Sequence, residues 1–507
     1  MRIRGLGLGV IALALLASGC SFGSAGPTPI PKPSATEAVP AGLAPFYDQQ
    51  VRWTDCGAGA QCTSITVPLD YDHPDGGTTR LAIARVPAAG ESLGALFVNP
   101  GGPGGSGFDY ARNASLQLSP AVTEHFDIVG VDPRGVGKSD PVQCLTDAQR
   151  DALAAANVSP TNSKDVAALV TASRLPSEGC STGAAPEFAY MGTLDVARDF
   201  DIARAAVGDP TFNYLGKSYG TSIGATYARA FPDRVGRMVL DGVLPTDLTL
   251  DAVTKVQAAA FEASLHDFAA DCIEHDDCPF TGDSDAVVGQ VQQLLAQLKA
   301  KPIRVGSRDL TDTLASSAIL SFLYFPEQDY PRLRAALAAV ATKRDGQPLL
   351  GLLDERTGRR ADGAYADNSI DAYYAVTCLD RQYSTTPART AALAQDWVQV
   401  SPTFGETLAW GLLPCANWPA GRSGAASTGA YSGASPLLVV NASHDPATPA
   451  QWGDALAASL GNATTVTWDA FNHTSYGQGS ACVDETVDAY LLQGVVPAAN
   501  VKCGRQS

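Results

Sequence analysis

Hydrophobic and polar positions follow three regimes along the chain. From Cys62 to Pro87, apolar and β-branched residues alternate with polar ones around Tyr71-Asp72-His73-Pro74-Asp75-Gly76-Gly77, a run of turn formers. A period of two interrupted by such a run predicts an antiparallel hairpin at a sheet edge. The pattern then changes to short continuous apolar runs: Leu96-Phe97-Val98, Ile128-Val129-Gly130-Val131, Phe212-Asn213-Tyr214-Leu215 and Met238-Val239-Leu240. Runs of this kind are strands buried on both faces. Between them Val196, Phe200, Ala203 and Val207 share one helical face. Strands alternating with helices predict an α/β chain with a mostly parallel central sheet covered on both sides.

From about residue 246 to 430 the alternation stops, and Ala-rich helical segments such as 252–270, 286–299 and 331–342 take over. Strand character returns at Pro436-Leu437-Leu438-Val439-Val440 and from Thr464 to Trp468. The reading is an α/β core in two parts, 46–245 and 431–507, interrupted by a large helical lid at 246–430. A chain of 507 residues has room for that division. Ahead of the core, residues 20–45 are rich in Pro, Ser, Ala and Gly and predict a flexible tether. Residues 1–19 have the form of a signal peptide: Arg2 and Arg4, an apolar stretch from Val10 to Ala17, then small residues. The apolar stretch is too short for a comfortable membrane span. Cys20 directly follows Ala17-Ser18-Gly19, as in a bacterial lipobox. Acylation of its thiol would leave a lipoprotein held to the cell membrane by its N-terminal lipid alone, whereas ordinary cleavage would release a secreted protein.

Composition narrows the picture further. The formal net charge is −17 and no long run of Lys or Arg occurs, so nucleic acid is not an expected partner. Ten cysteines remain once Cys20 is set aside, an even number suited to disulfides in an oxidising compartment. Short loops cost least to close. That favours Cys56 with Cys62, Cys144 with Cys180, Cys272 with Cys278, Cys378 with Cys415 and Cys482 with Cys503, although sequence leaves the connectivity open. No C-x2-C pair supports a zinc site, and neither metal nor cofactor is expected.

The chemistry starts from G-x-S-x-G, which occurs five times, centred on Ser21, Ser92, Ser181, Ser218 and Ser222. A nucleophile elbow needs a buried strand before the serine and a helix after it. Only Ser218 has both, with Phe212 to Leu215 before it and the small-residue run Ile223 to Ala228 after it. In proteins built on such an elbow the acid and the histidine follow the serine along the chain. Among six histidines, His473 comes just after the last strand and is the expected base. His444 also ends a strand, but an acid follows it directly. Asp445, 28 residues before His473, is the expected acid; Asp241, closing Met238-Val239-Leu240, is its rival. The glycine-rich run from Asn99 to Gly107 follows a strand, which nominates the Gly102 amide as an oxyanion donor beside that of Tyr219.

In this order the segments NPGGPGGSG (99–107), DIVGVDPRGVGKSDP (127–141), YLGKSYGTSIGATYA (214–228), MVLDGV (238–243), HDPATP (444–449) and NHT (472–474) are specific. The chain resembles the prolyl-iminopeptidase-like α/β-hydrolases, and more closely the secreted tripeptidyl aminopeptidase group, over roughly residues 50 to 503. The resemblance implies an extracytoplasmic serine peptidase that takes peptide or protein substrates and removes short peptides from free N-termini. Ser218, Asp445 and His473 would form its triad, and Thr448 would steady the acid, with a plain turn residue as the equal alternative. It also implies an acidic group on the lid for the substrate ammonium. Asp380 is the candidate, against the reading of a solvated helix acid. Pro100 stands where the simpler iminopeptidases carry histidine, which argues against strict proline-iminopeptidase activity. A carboxylesterase or lipase with the same triad is the alternative.

Overall fold

The computed structural model describes residues 39–40, 42–183, 186–416, 418–419 and 428–505. The expected signal peptide, Cys20 and most of the tether lie outside the described residues.

Among the described residues twelve strands occur in chain order: β1 Thr54–Asp55, β2 Gln61–Pro68, β3 Thr78–Val86, β4 Ala95–Asn99, β5 Asp127–Val131, β6 Phe212–Lys217, β7 Val235–Asp241, β8 Ile303–Val305, β9 Arg308–Leu310, β10 Leu437–Ala442, β11 Ala463–Trp468 and β12 Val501–Cys503. Ten of them form one sheet in the order β1-β2-β3-β5-β4-β6-β7-β10-β11-β12. The hairpin β2–β3 pairs antiparallel with Cys62 opposite Ala84, and β3 also runs antiparallel to β5. From β5 to β12 every neighbour is parallel.

The continuous apolar runs sort themselves by the pleat, because successive side chains leave a strand on opposite faces. Phe97, Val129, Tyr214, Leu240 and Val439 join the core on one side of the sheet. Their chain neighbours Val98, Ile128, Leu215, Val239 and Val440 join the core on the other. A strand with both faces buried has no polar face to show, so the sequence reads as uninterrupted hydrophobics.

Between β7 and β10 the chain is mostly helical. The stretches 252–270, 286–299 and 331–342 lie inside helices Leu250–Ile273, Ser284–Ala300 and Pro326–Lys343. These pack around a hydrophobic core of their own that includes Leu265, Phe268, Val291 and Leu337. The small β8–β9 hairpin within this insertion has no counterpart in the sequence reading, since three-residue strands are too short to show a period. The disulfides are Cys56–Cys62, Cys144–Cys180, Cys272–Cys278, Cys378–Cys415 and Cys482–Cys503. No helix among the described residues is long and apolar enough to cross a membrane. No group of three or more His, Cys, Asp or Glu is placed to hold a metal ion among them.

Charge is buried under the sheet as well as around it. Arg134, just after β5, meets Asp199 on helix Thr193–Val207 through two hydrogen bonds of 2.7 and 2.5 Å, with both side chains fully buried. The remaining guanidinium donors reach the carbonyls of Pro68, Leu69 and Tyr190, and Tyr71 donates to Asp199 at 2.7 Å. One arginine therefore joins the edge hairpin, the turn after β5 and a covering helix. Arg134→Ala would strand a buried carboxylate, and denaturant unfolding is expected to show a loss of about 3–5 kcal/mol.

Candidate active site

The site lies where β4, β6, β7, β10 and β11 end together along one edge of the sheet. At the end of β6 the chain turns sharply into helix Tyr219–Ala230, and Ser218 takes the turn at φ 55°, ψ −126°. Non-glycine residues rarely hold this conformation, which costs on the order of 1–3 kcal/mol and persists only where the surroundings enforce it. The turn is tight enough that a Cβ at Gly216 would lie 2.5 Å from the Gly220 carbonyl oxygen. Its effect is visible in burial: 212–217 and 219–220 are buried, while Ser218 stays partly exposed.

The loop after β4 packs directly on this elbow. A Cβ at Gly101 would come within 2.5 Å of the Lys217 carbonyl oxygen and 2.8 Å of the Tyr219 amide nitrogen. The Gly101 N–H is used by the Asn99 side chain at 2.9 Å. The amides of Gly102 and Tyr219 have no acceptor among the described residues. Both residues line the same cavity as Ser218. Asp132, after β5, fixes the far end of the loop: it accepts from Ser106 Oγ at 2.6 Å and from the Phe108 and Lys138 amides.

His473 and Asp445 meet as a buried pair, with Nδ1 at 2.9 and 3.0 Å from the two carboxylate oxygens. Asp445 is enclosed by further donors: the amides of Ala447, Thr448 and Thr474 and the Thr448 hydroxyl, at 2.7–3.0 Å. Thr448 therefore contacts the acid through both its amide and its hydroxyl. A carboxylate so surrounded is fixed in orientation, and it fixes the imidazole in turn. No hydrogen bond joins Ser218 Oγ to the histidine among the described residues; bonds of this type often tighten only when substrate is bound.

The rivals are engaged elsewhere. His444 stacks on Phe471 with ring centroids 4.2 Å apart, Ser222 Oγ donates to the Leu244 carbonyl, and Asp241 accepts from the Ser475 and Tyr476 amides.

The insertion covers the site. Tyr324 stands edge-on to the His473 ring at 5.1 Å, and its carbonyl accepts the His473 backbone N–H at 2.8 Å. Gln257 donates to the Ala447 carbonyl at 2.8 Å. Beneath this cover is a cavity of about 260 Å³. Leu250, Val253, Phe261, Leu320 and Leu408 give it an apolar wall, and Asp380 lines it. Asp380 ends helix Ser369–Asp380; its carboxylate accepts the Thr193 amide at 2.8 Å and the Thr193 hydroxyl, which lies 2.7 Å from Tyr219 Oη. Burial pushes the Asp380 carboxyl up to about 6, against those hydrogen bonds and neighbouring Arg381. Arg381, next in the chain, lines the same cavity and donates to the Pro245 carbonyl. Asp380 forms no direct salt bridge among the described residues, although the nearby Arg381 charge favours its ionised form. Thr193, Tyr324 and Gln257 escape sequence reasoning, since each acts across the fold and carries no local motif.

Comparison with known proteins shows the family of the chain. The family model described as alpha/beta hydrolase fold matches residues 94–480. The chain belongs to the α/β-hydrolase fold family. Among α/β-hydrolases it is 35% identical to a protein named serine protease Hip1 from Mycobacterium tuberculosis, over 90% of this chain and 92% of that one. It is 36% identical to a protein named carboxylesterase B from the same organism, over 97% and 98% of the two chains. A tripeptidyl aminopeptidase from Streptomyces coelicolor is 33% identical over 89% of this chain and 86% of its own. As a member of this family the protein is a hydrolase. Thr448→Val, which keeps the side-chain shape but removes the hydroxyl, is expected to lower kcat on a chromogenic acyl substrate about tenfold.

Proposed function

We propose that the protein is an extracytoplasmic serine aminopeptidase that releases short peptides, of tripeptide length, from free N-termini through an acyl-enzyme. Ser218 Oγ attacks the scissile carbonyl while His473 takes its proton, and Asp445 holds the tautomer and balances the imidazolium charge. The Gly102 and Tyr219 amides receive the oxyanion. His473 then protonates the leaving amine, and water repeats the sequence in reverse to free the peptide. The chain's own residues supply every proton transfer.

The observation that carries the peptidase reading is Asp380, a carboxylate without an ion-pair partner in the cavity that also holds Ser218. A substrate ammonium would give this carboxylate a direct ion pair, with the peptide lying along the apolar wall between Asp380 and Ser218. Relatives named as a serine protease and a tripeptidyl aminopeptidase support the same reading. Five disulfides suit an oxidising compartment. The lipobox-like Cys20 suits attachment to the outer face of a membrane. The apolar wall and the relative named carboxylesterase B favour a second reading, an esterase using the same triad.

Hydrolysis of a free tripeptidyl anilide, its N-acetylated form and a short acyl ester separates the two. Loss of turnover on acetylation is expected, and turnover of the ester alone would sink the peptidase reading. Ser218→Ala is expected to reduce kcat at least about 10⁴-fold. Asp380 attracts an ammonium only when ionised, so KM for the free peptide is expected to rise as pH falls through about 6. Asp380→Asn should raise that KM about tenfold or more and remove its pH dependence, leaving ester hydrolysis unchanged.

A further inference from the structure

Two buried charged residues beside the elbow take no part in the triad. Lys217 ends β6 immediately before Ser218, and Asp241 ends β7 on the neighbouring strand. Both are buried, with Lys217 Nζ 3.9 Å from an Asp241 oxygen. Neither lines the cavity that holds Ser218. Their hydrogen bonds converge on the segment directly after His473. The Asp241 carboxylate accepts from the Ser475 amide at 2.9 and 3.1 Å and from the Tyr476 amide at 3.0 Å. Lys217 Nζ donates to the Tyr476 carbonyl at 2.6 Å. Asp241 also grips the opposite partner, since its backbone carbonyl accepts the Ser218 N–H at 2.9 Å.

Tyr476 is fully buried, and its hydroxyl is fixed to Asp488 at 2.7 Å. Between it and His473 stands Thr474 at φ 66°, a conformation that needs outside support in a β-branched residue. Filling the same space with an apolar pair would cost less than burying a cation and an anion. What the apolar pair could not do is hold two amides and a carbonyl of a loop at fixed positions.

We propose that Lys217 and Asp241 are positioning residues, a clamp that ties segment 474–476 to the nucleophile elbow and so keeps the His473 ring in register with Ser218. This rests on the triad reading above. It predicts a second proton in the acid limb of the enzyme. Burial pushes the Asp241 carboxyl up to about 6, opposed by Lys217, the Tyr476 and Ser475 amides and His473. Tyr110, on helix Gly107–Arg112, faces the same carboxylate, and Asp484 faces Lys217. Protonating Asp241 weakens its hold on both amides and leaves Lys217 without its counter-ion. The clamp therefore loosens as the pH falls through about 6.

The rate at which a fluorophosphonate labels Ser218 reads serine reactivity without involving a substrate ammonium. In the wild-type protein the logarithm of that rate is expected to fall at low pH with a limiting slope near two, as for two required deprotonations; a slope of one overturns the clamp. Asp241→Asn is expected to slow labelling at pH 7.5 about 10–100-fold and to reduce the slope to about one. Lys217→Met removes the cation that favours Asp241 ionisation, so its acid limb is expected to move to higher pH by about one unit. Folded variants with the wild-type rate and limb overturn the proposal, as does a lowered melting temperature with an unmoved limb. Ser218→Ala separates the two readings: label retained there defeats the triad itself, whereas label lost there with unaltered clamp variants defeats only the clamp.

Discussion

A carboxylate taken out of water must be surrounded by donors, and this requirement organises the catalytic edge of the molecule. Asp132 follows β5, Asp241 closes β7 and Asp445 follows β10; each is buried. Each meets its need in part with backbone amides of neighbouring segments. Asp132 takes Phe108 and Lys138, Asp241 takes Ser475 and Tyr476, and Asp445 takes Ala447, Thr448 and Thr474. The loops carrying Gly102, His473 and Asp445, the proposed oxyanion donor, base and acid, are thus each fastened to the end of a strand. A parallel sheet brings those strand ends to one edge, and the aspartates turn that edge into a site.

This arrangement explains which parts of the site were legible in the sequence. Ser218 could be singled out from five matching motifs because its context is local: a buried strand before it and a helix of small residues after it. His473 and Asp445 followed from chain order. Asp241 and Asp445 could not be separated as firmly, because they occupy equivalent ends of adjacent strands β7 and β10. What distinguishes them is the next turn: Asp445 is followed three residues on by Thr448, whose hydroxyl closes on the carboxylate, and His473 Nδ1 takes the remaining space. The sheet was readable for a related reason, since strands buried on both faces lose their polar face and stand out as continuous apolar runs.

The unreadable parts depend on distance along the chain. Thr193 lies 187 residues from Asp380, yet its amide and hydroxyl both bind that carboxylate. Asn368, ahead of the helix that ends in Asp380, bonds the carbonyls of Gly135 and Val142 across separations of 233 and 226 residues. No periodicity or spacing encodes such pairs, because each partner alone is an ordinary residue in a loop or at a helix end. The insertion likewise gives a clear helical pattern for its own core, while the side chains it aims at the catalytic groups follow from how that core docks.

One of these docking contacts has a mechanical meaning. The carbonyl of Tyr324 accepts the backbone N–H of His473, so the roof over the cavity is hydrogen-bonded to the proposed general base. Lifting that part of the roof breaks the bond and removes the edge-on ring from the imidazole in the same motion. In the proposed mechanism, access and proton transfer would thereby be interlocked: a gate swung open at Tyr324 would leave the base slack, and shutting it would brace the base again.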